Sequence, residues 1–212
     1  MEIEINNKDI ILSNAYLGSV RYFSTMLAAK SVHISDDEPI TKHHWAMNHC
    51  RLEGANGEQI ITLPIEKPDF GAKTMMRDIV ISTHGNWERI HWGAIFSAYG
   101  KSPFFEYIED DLNRIYSNHS KWLVDFNNEL RELVINFLDL PIVMDVTGSD
   151  AALSLQRQVG EKKSDSLPIN DVPYYQLWAS RYGFKPDMSI LDLLMNTGRE
   201  SIITLQKMMA KD

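Results

Sequence analysis

The spacing of apolar residues changes along the chain. Ile10-Ile11-Leu12 and Val32-His33-Ile34 are short apolar runs of strand type, and residues 20–29 between them carry helical spacing. Residues 45–52 and 59–65 read as two further strands around Gly54-Ala55-Asn56-Gly57. An Asn-Gly pair between two such runs predicts a hairpin, because both residues tolerate positive φ. Residues 78–82 predict another short strand, and Pro64 and Pro68 limit how far the second hairpin strand can run.

The middle of the chain turns helical. Asn86 stands where it can cap a helix with Trp87, Ile90, Ala94, Ile95 and Ala98 as its apolar stripe, closed by Gly100. Ser102 with Pro103 predicts a second helix, with Phe104, Tyr107, Ile108, Leu112 and Ile115 inward. Ser120 predicts a third, with Leu123, Phe126, Leu130, Val134 and Phe137 inward. Residues 141–144 read as a buried strand. Residues 147–171 are polar and predict a long, weakly ordered loop, with a short helix near residues 151–158. Ser189-Ile190-Leu191-Asp192 is a capping-box variant, Asp replacing Glu, that opens a helix ended by Gly198. A last amphipathic helix uses Ile202, Ile203, Leu205 and Met209. Strands first and helices after predict a mixed α/β fold: a mixed sheet covered by helices, in one compact domain over residues 1–212.

Composition narrows the partners. Net charge is −8, with 29 acidic and 21 basic residues and no basic block, which argues against nucleic acid and anionic membranes. The single cysteine, Cys50, excludes a disulfide framework within the chain. Charges interrupt the apolar residues at the N-terminus, and no stretch approaches the ~20 apolar residues of a membrane span. The cytoplasm is the expected location.

The histidine-rich segment 43–51 is the most informative chemically. As a regular strand it would put His44, Asn48 and Cys50 on one face and His43, His49 and Arg51 on the other. His44 and Cys50 would then lie about 20 Å apart. No zinc-type spacing is present, so neither a metal nor a cofactor is expected. Cys50 as a nucleophile would need a base that its own strand does not supply, and a lone cysteine in an apolar strand is as a rule inert. His91 lies close to the inner stripe of its helix, as a buried structural histidine or a site histidine. Asp111 is expected near the inner face of its helix and Asp110 in solvent. Tyr16, Tyr22 and Tyr99 could line a pocket or fill the core. Gly-x-Ser-x-Gly, P-loop and dinucleotide glycine patterns are absent.

Several segments together resemble the WbqC-like family. They are residues 86–92 (NWERIHW) with 97–107 (SAYGKSPFFEY), Ala15-Tyr16-Leu17 with Tyr22-Phe23, Asn48-His49-Cys50 with Asn56-Gly57 and Leu63-Pro64-Ile65, and residues 184–196 (FKPDMSILDLLMN). The match spans about residues 10–198. The chain departs from the main branch of that family at Leu12-Ser13-Asn14, where His-Gln-Pro is usual, and at Asn48-His49, where Asn-Arg is usual. The polar stretch 147–171 replaces a longer glycine-rich segment, so the chain resembles a shorter branch.

The resemblance implies a role in bacterial surface-glycan biosynthesis, as an acyl- or aminoacyl-transferase acting on an amino-sugar nucleotide. An acyl transfer to an amine needs a base and donors for the developing oxyanion; on the enzyme reading His91 is the candidate base, Asn48 a donor or orienting group, and Tyr16, Tyr22, His49 and Tyr99 candidate substrate contacts. The alternatives are a non-catalytic module binding sugar or protein and, with least support, a metal-dependent hydrolase.

Overall fold

The computed structural model describes residues 6–40, 44–67, 74–144, 153–154 and 170–209. Strand β1 (Asn6–Ser13), helix α1 (Val20–Ala28) and strand β2 (Ala29–Ser35) form a βαβ unit with parallel strands. Ile10 pairs with Val32 and Leu12 with Ile34, and all four are buried. Strand β5 (Leu153–Ser154) pairs in parallel with the other edge of β1, giving the order β2-β1-β5.

Strands β3 (His49–Gly54) and β4 (Gly57–Thr62) form a separate antiparallel hairpin. The turn is Ala55-Asn56, and among the hairpin residues positive φ falls on Gly57 alone, at +95°. Helix α2 (Trp87–Tyr99) packs on β3, closely enough that a Cβ at Gly54 would stand 3.8 Å from Ala98. Helices α3 (Glu109–Ser117) and α4 (Leu123–Leu138) pack on each other; α5 (Ala179–Tyr182) is short. Helix α6 (Ile190–Thr197) is buried on every side from Ile190 to Asn196; its apolar residues meet the core, and its one carboxylate, Asp192, is taken up by hydrogen bonds. Helix α7 (Ser201–Met208) lies on α1, where Ser24 donates to the Leu205 carbonyl at 3.0 Å.

The mixed α/β class expected from the sequence is the observed one. Individual elements differ, each for a local reason. Residues 45–47 are not strand: Trp45–Met47 is a 3-10 turn, and β3 begins only at His49. His49 reaches back to the Trp45 carbonyl at 2.9 Å and stacks on its ring at 5.1 Å, contacts that a straight strand would pull apart. The regular alternation assigned to His44, and its 20 Å separation from Cys50, fall with that strand. Met76–Asp78 is likewise a 3-10 turn, and residues beyond it make single bridges, Ile81 with Ile65 and Val80 with Trp122. The helix expected from Ser102 starts only at Glu109, because Phe104 donates to the Met195 carbonyl and Ser102 to Asn196, tying the chain to α6.

The inner face of α2 is rotated from expectation: Trp87, His91, Ile95, Ala98 and Tyr99 are buried, whereas Ile90 is 64% exposed. Tyr107 and Asp111 also face outward, Asp111 paired with Arg114. Residues 141–144 are not buried; they lie along the outer edge of β2, held by Val32 donating to the Val143 carbonyl at 2.8 Å. Of the helix expected near residues 151–158, Leu153–Ser154 is strand, and the rest lies outside the described residues, as does most of the polar stretch 147–171. Ser189 caps α6 by accepting from Leu191, but Asp192 does not close the box; its carboxylate serves a buried network instead.

Candidate functional site

β1 ends at Ser13, and the chain turns sharply through residues 14–19. Leu17 sits at φ +45°, a left-handed conformation that a leucine holds only when its surroundings impose it. Here Ser189 donates to the Leu17 carbonyl at 2.9 Å, Ile190 N–H to Gly18, and Tyr16 N–H to Ala46. The turn therefore fixes Asn14 and Tyr16, each 1% exposed, in place.

Asn14 is the centre of a polar network at the carboxyl ends of β1 and β2. Its amide donates to Asn128 at 2.8 Å and to Asp36 at 3.3 Å. Its own oxygen accepts from Asn127 at 2.7 Å, and Asn127 gives its second proton to the Met47 carbonyl at 2.9 Å. Arg131, one turn further along α4, donates to the same Asn128 oxygen at 2.8 Å. Its guanidinium also bonds the hydroxyl of Tyr22, which donates to the Ser13 carbonyl at 3.1 Å. Burial raises the Asp36 carboxyl above its ordinary value, opposed by the bond from Asn14 and the charge of Arg131. Burial likewise pushes the Tyr22 phenol up to about 12, with Arg131 opposing.

This network is incomplete. Ser13 Oγ, Asn127 Oδ1 and Arg131 Nε are shielded from solvent and have no hydrogen-bond partner. Nearby in sequence, Glu38 bonds the His44 ring at 3.2 Å through one oxygen, while its other oxygen is buried and unpartnered. Unmet buried polar groups each cost about 1–3 kcal/mol, so several in one network call for a partner.

The residues singled out in the sequence fall into different places. Tyr22 belongs to the network just described. Tyr16, His91 and Asn48 gather around the end of β4. The His91 Nε2–H donates to the Thr62 carbonyl at 3.1 Å, which leaves Nδ1 as acceptor for the Tyr16 hydroxyl at 2.8 Å. Tyr16 in turn accepts from Tyr116. Burial lowers the His91 pKa, so the ring is neutral at physiological pH with both nitrogens engaged. Asn48 donates to the Leu63 carbonyl at 2.9 Å, and its backbone carbonyl accepts from Leu63 N–H at 2.7 Å. His49 stacks on Trp45, its pKa lowered by partial burial.

Tyr99 lies elsewhere, in a second acidic network. Its hydroxyl meets the Asp192 carboxylate, which also accepts from Tyr174 and Gln176, each at 2.7 Å. Glu53 N–H approaches the same hydroxyl at 3.4 Å. The Glu53 carboxyl is fully buried with both oxygens unpartnered, and burial together with Asp192 raises its pKa. Cys50 is buried and its thiol pushed well up by desolvation, the opposite of an activated nucleophile. Among the described residues no group of three or more His, Cys, Asp or Glu side chains is arranged to hold a metal.

Asp36, Asn127, Asn128 and Arg131 were not singled out in the sequence, and Asn14 stood out only within Leu12-Ser13-Asn14, where the chain departs from the main branch of the family it resembles. One signal was available for two of them: Asn127 and Arg131, four apart, adjoin the apolar stripe of α4, and a polar residue on a buried face is the informative exception.

A parallel strand pair joined by a helix, with a buried polar cluster at its carboxyl ends, places the molecule in the mixed α/β class. A model of the WbqC-like protein family matches residues 14–166, more than half of the sequence, and the chain belongs to that family. The chain is also similar, at 27% identity over 227 residues, to a protein of Mycobacterium tuberculosis (strain ATCC 25618 / H37Rv) named Uncharacterized protein Rv1507c; the alignment covers 92% of this chain and 95% of that one. No solved structure matches. No helix among the described residues is long and apolar enough to cross a membrane.

Proposed function

We propose that the protein binds a small polar substrate at the carboxyl ends of β1 and β2, and acts there as an acyl- or aminoacyl-transferase on an amino-sugar nucleotide in bacterial surface-glycan biosynthesis. The observation that supports a binding site there is the set of buried, unpartnered atoms Ser13 Oγ, Asn127 Oδ1 and Arg131 Nε, of which Asn127 bonds Asn14 directly and Arg131 is linked to it through Asn128. Crevices at strand ends are where α/β proteins take ligands. The glycan role and the transfer reaction come from the family resemblance. In this reading His91 and Asn48 position the site: His91 holds Tyr16, two residues beyond Asn14, and Asn48 holds Leu63. For His91 to act as the base, its bond with Tyr16 must first open.

Thermal shift of the purified protein against nucleotide-activated amino sugars, acyl donors and divalent metals tests this. A ligand at 100 times its Kd stabilises by about 2.7 kcal/mol. A rise in Tm with an amino-sugar nucleotide, lost in Arg131→Met, is the expected result; no rise with any compound sinks the proposal. A non-catalytic binding module is the second reading, favoured by the buried thiol of Cys50 and the fully engaged ring of His91. Binding of sugar and donor without product detectable by mass spectrometry would select it.

A further inference from the structure

Residues 174–186 run as a strap beside the hairpin, bounded by Pro173 and Pro186. Their bonds trace a course along β3. Just beyond the strap, Ser189 N–H donates to the Arg51 carbonyl at 3.0 Å, and the Arg51 side chain donates to the Asp187 carbonyl at 2.8 Å. Further back, Arg181 and Tyr182 each donate to the Ala55 carbonyl at 2.8 Å. Glu53 lies midway between Arg51 and Ala55, and Lys185 falls in the stretch of strap between the two sets of bonds. Glu53 is 0% exposed, and neither oxygen of its carboxyl has a hydrogen-bond partner.

The strap is tied to itself. The Gln176 side chain bonds both the N–H and the carbonyl of Lys185, each at 2.9 Å, and the rings of Tyr174 and Phe184 meet edge to face at 5.3 Å. It can therefore move as a unit. Its bonds to the body are polar: Tyr174 and Gln176 donate to Asp192, Leu177 N–H to Asn196 at 3.1 Å, and the Trp178 indole to the Ala98 carbonyl at 3.0 Å. Gln176 is its only buried side chain. With so little apolar surface buried, opening exchanges hydrogen bonds for water, which is the character of a segment of low local stability.

The groups around Glu53 set the condition for opening. Asp192 on α6 and Glu58 on β4 repel a negative charge there, and Lys185 on the strap attracts one. The Tyr99 hydroxyl on α2 bonds Asp192 and meets Glu53 N–H at 3.4 Å. Desolvation and Asp192 outweigh Lys185, so the closed fold keeps the carboxyl neutral to higher pH than water does. We propose that the strap is a proton-gated lid, closed over Glu53 while that carboxyl carries its proton and lifting as a unit between Pro173 and Pro186 when it ionises. The stabilisation of the closed lid is full below the ordinary 4.5 and is lost as pH rises through the folded value. Opening admits water to Glu53, Asp192 and the Tyr99 hydroxyl together. The lid goes beyond the strand-end reading and does not depend on it.

Hydrogen exchange of the full chain, read by mass spectrometry from about pH 4 to pH 8 and divided by the intrinsic rate at each pH, tests this. Protection of the strap amides, among them Leu177, Tyr182, Gly183 and Lys185, should fall about tenfold for each pH unit climbed above the ordinary value, levelling off once Glu53 is ionised. Protection in α4 should hold. Glu53→Gln should keep the strap at its acid-side protection across the whole range. Lys185→Met carries the same test without touching β3: with the attracting cation gone, the fall at pH 8 should deepen while the acid side stays put. Protection that is flat with pH in the wild type, a fall of equal size in Glu53→Gln, or a matching loss in α4 would each overturn the lid.

Discussion

The relay around His91 and the network around Arg131 start two residues apart, at Tyr16 and Asn14, on one strained turn. Both are buried and both are built from side chains far apart in sequence. They differ in closure. In the first, Tyr116, Tyr16, His91 and the Thr62 carbonyl form an unbroken run in which each donor has an acceptor. In the second, three polar atoms are left over. Burial of a polar residue therefore does not by itself separate architecture from site, and these two networks differ instead in the balance of their donors and acceptors. A closed run contributes rigidity, because any member that moves leaves another unmet. An open one holds capacity for a partner.

The largest effect should come from breaking the closed relay. His91→Phe takes the acceptor from the Tyr16 O–H and the donor from the Thr62 carbonyl, at a cost of about 2–4 kcal/mol, so Tm should fall by roughly 5–15 °C in a chain of this size. A change within about 2 °C would show that the relay is not structural. The relay also sets an acid limit. The folded pKa of His91 lies below its ordinary 6.5, so its stabilising contribution is full above 6.5 and is lost as pH falls toward the folded value. Chemical denaturation from pH 7.5 down to 5 should show declining stability in the wild type and a shallower decline in His91→Phe.

The acidic network sharpens the comparison in the opposite direction. Glu53 has a raised folded pKa, so its contribution is full below the ordinary 4.5 and is lost as pH rises through the folded value. Glu53→Gln should accordingly raise Tm by about 2–4 °C at pH 8 and leave it unchanged near pH 4. An equal gain at both ends would refute the protonation account. The smallest effect belongs to the open network without ligand: Ser13→Ala should stabilise the fold by about 1 kcal/mol, because it removes a buried hydroxyl to which nothing inside the fold bonds; a loss of stability would show that the hydroxyl has a partner.

The sequence was informative where structure is local. Apolar runs located β1 and β2, the Asn-Gly pair located the hairpin, and the stripe of α4 was read almost residue by residue. It was silent where a distant bond overrides local preference. Ser102 and Pro103 look like a helix start, and the tie from Phe104 to Met195 prevents one. His44 to Met47 continues an apolar run, and the stacking of His49 on Trp45 curls it into a turn. The site was harder still. Asn14 meets Asp36 across 22 residues and Asn128 across 114, and no periodicity encodes such meetings. What α4 did display was Asn127 and Arg131 beside an apolar stripe, a pattern that repays attention when helices are scanned for function.

β5 joins the sheet from position 153, and the turn that follows β1 is locked by Ser189. A ribosome adding about 5–20 residues per second completes β1 many seconds before either partner exists. During that interval one edge of β1 presents its amides and carbonyls to any strand in reach, which is the condition for mispairing with a neighbouring nascent chain. Synthesis itself thus becomes the stage at which this molecule is most exposed to error, and chaperone demand should track the emergence of β1 rather than the stability of the finished fold.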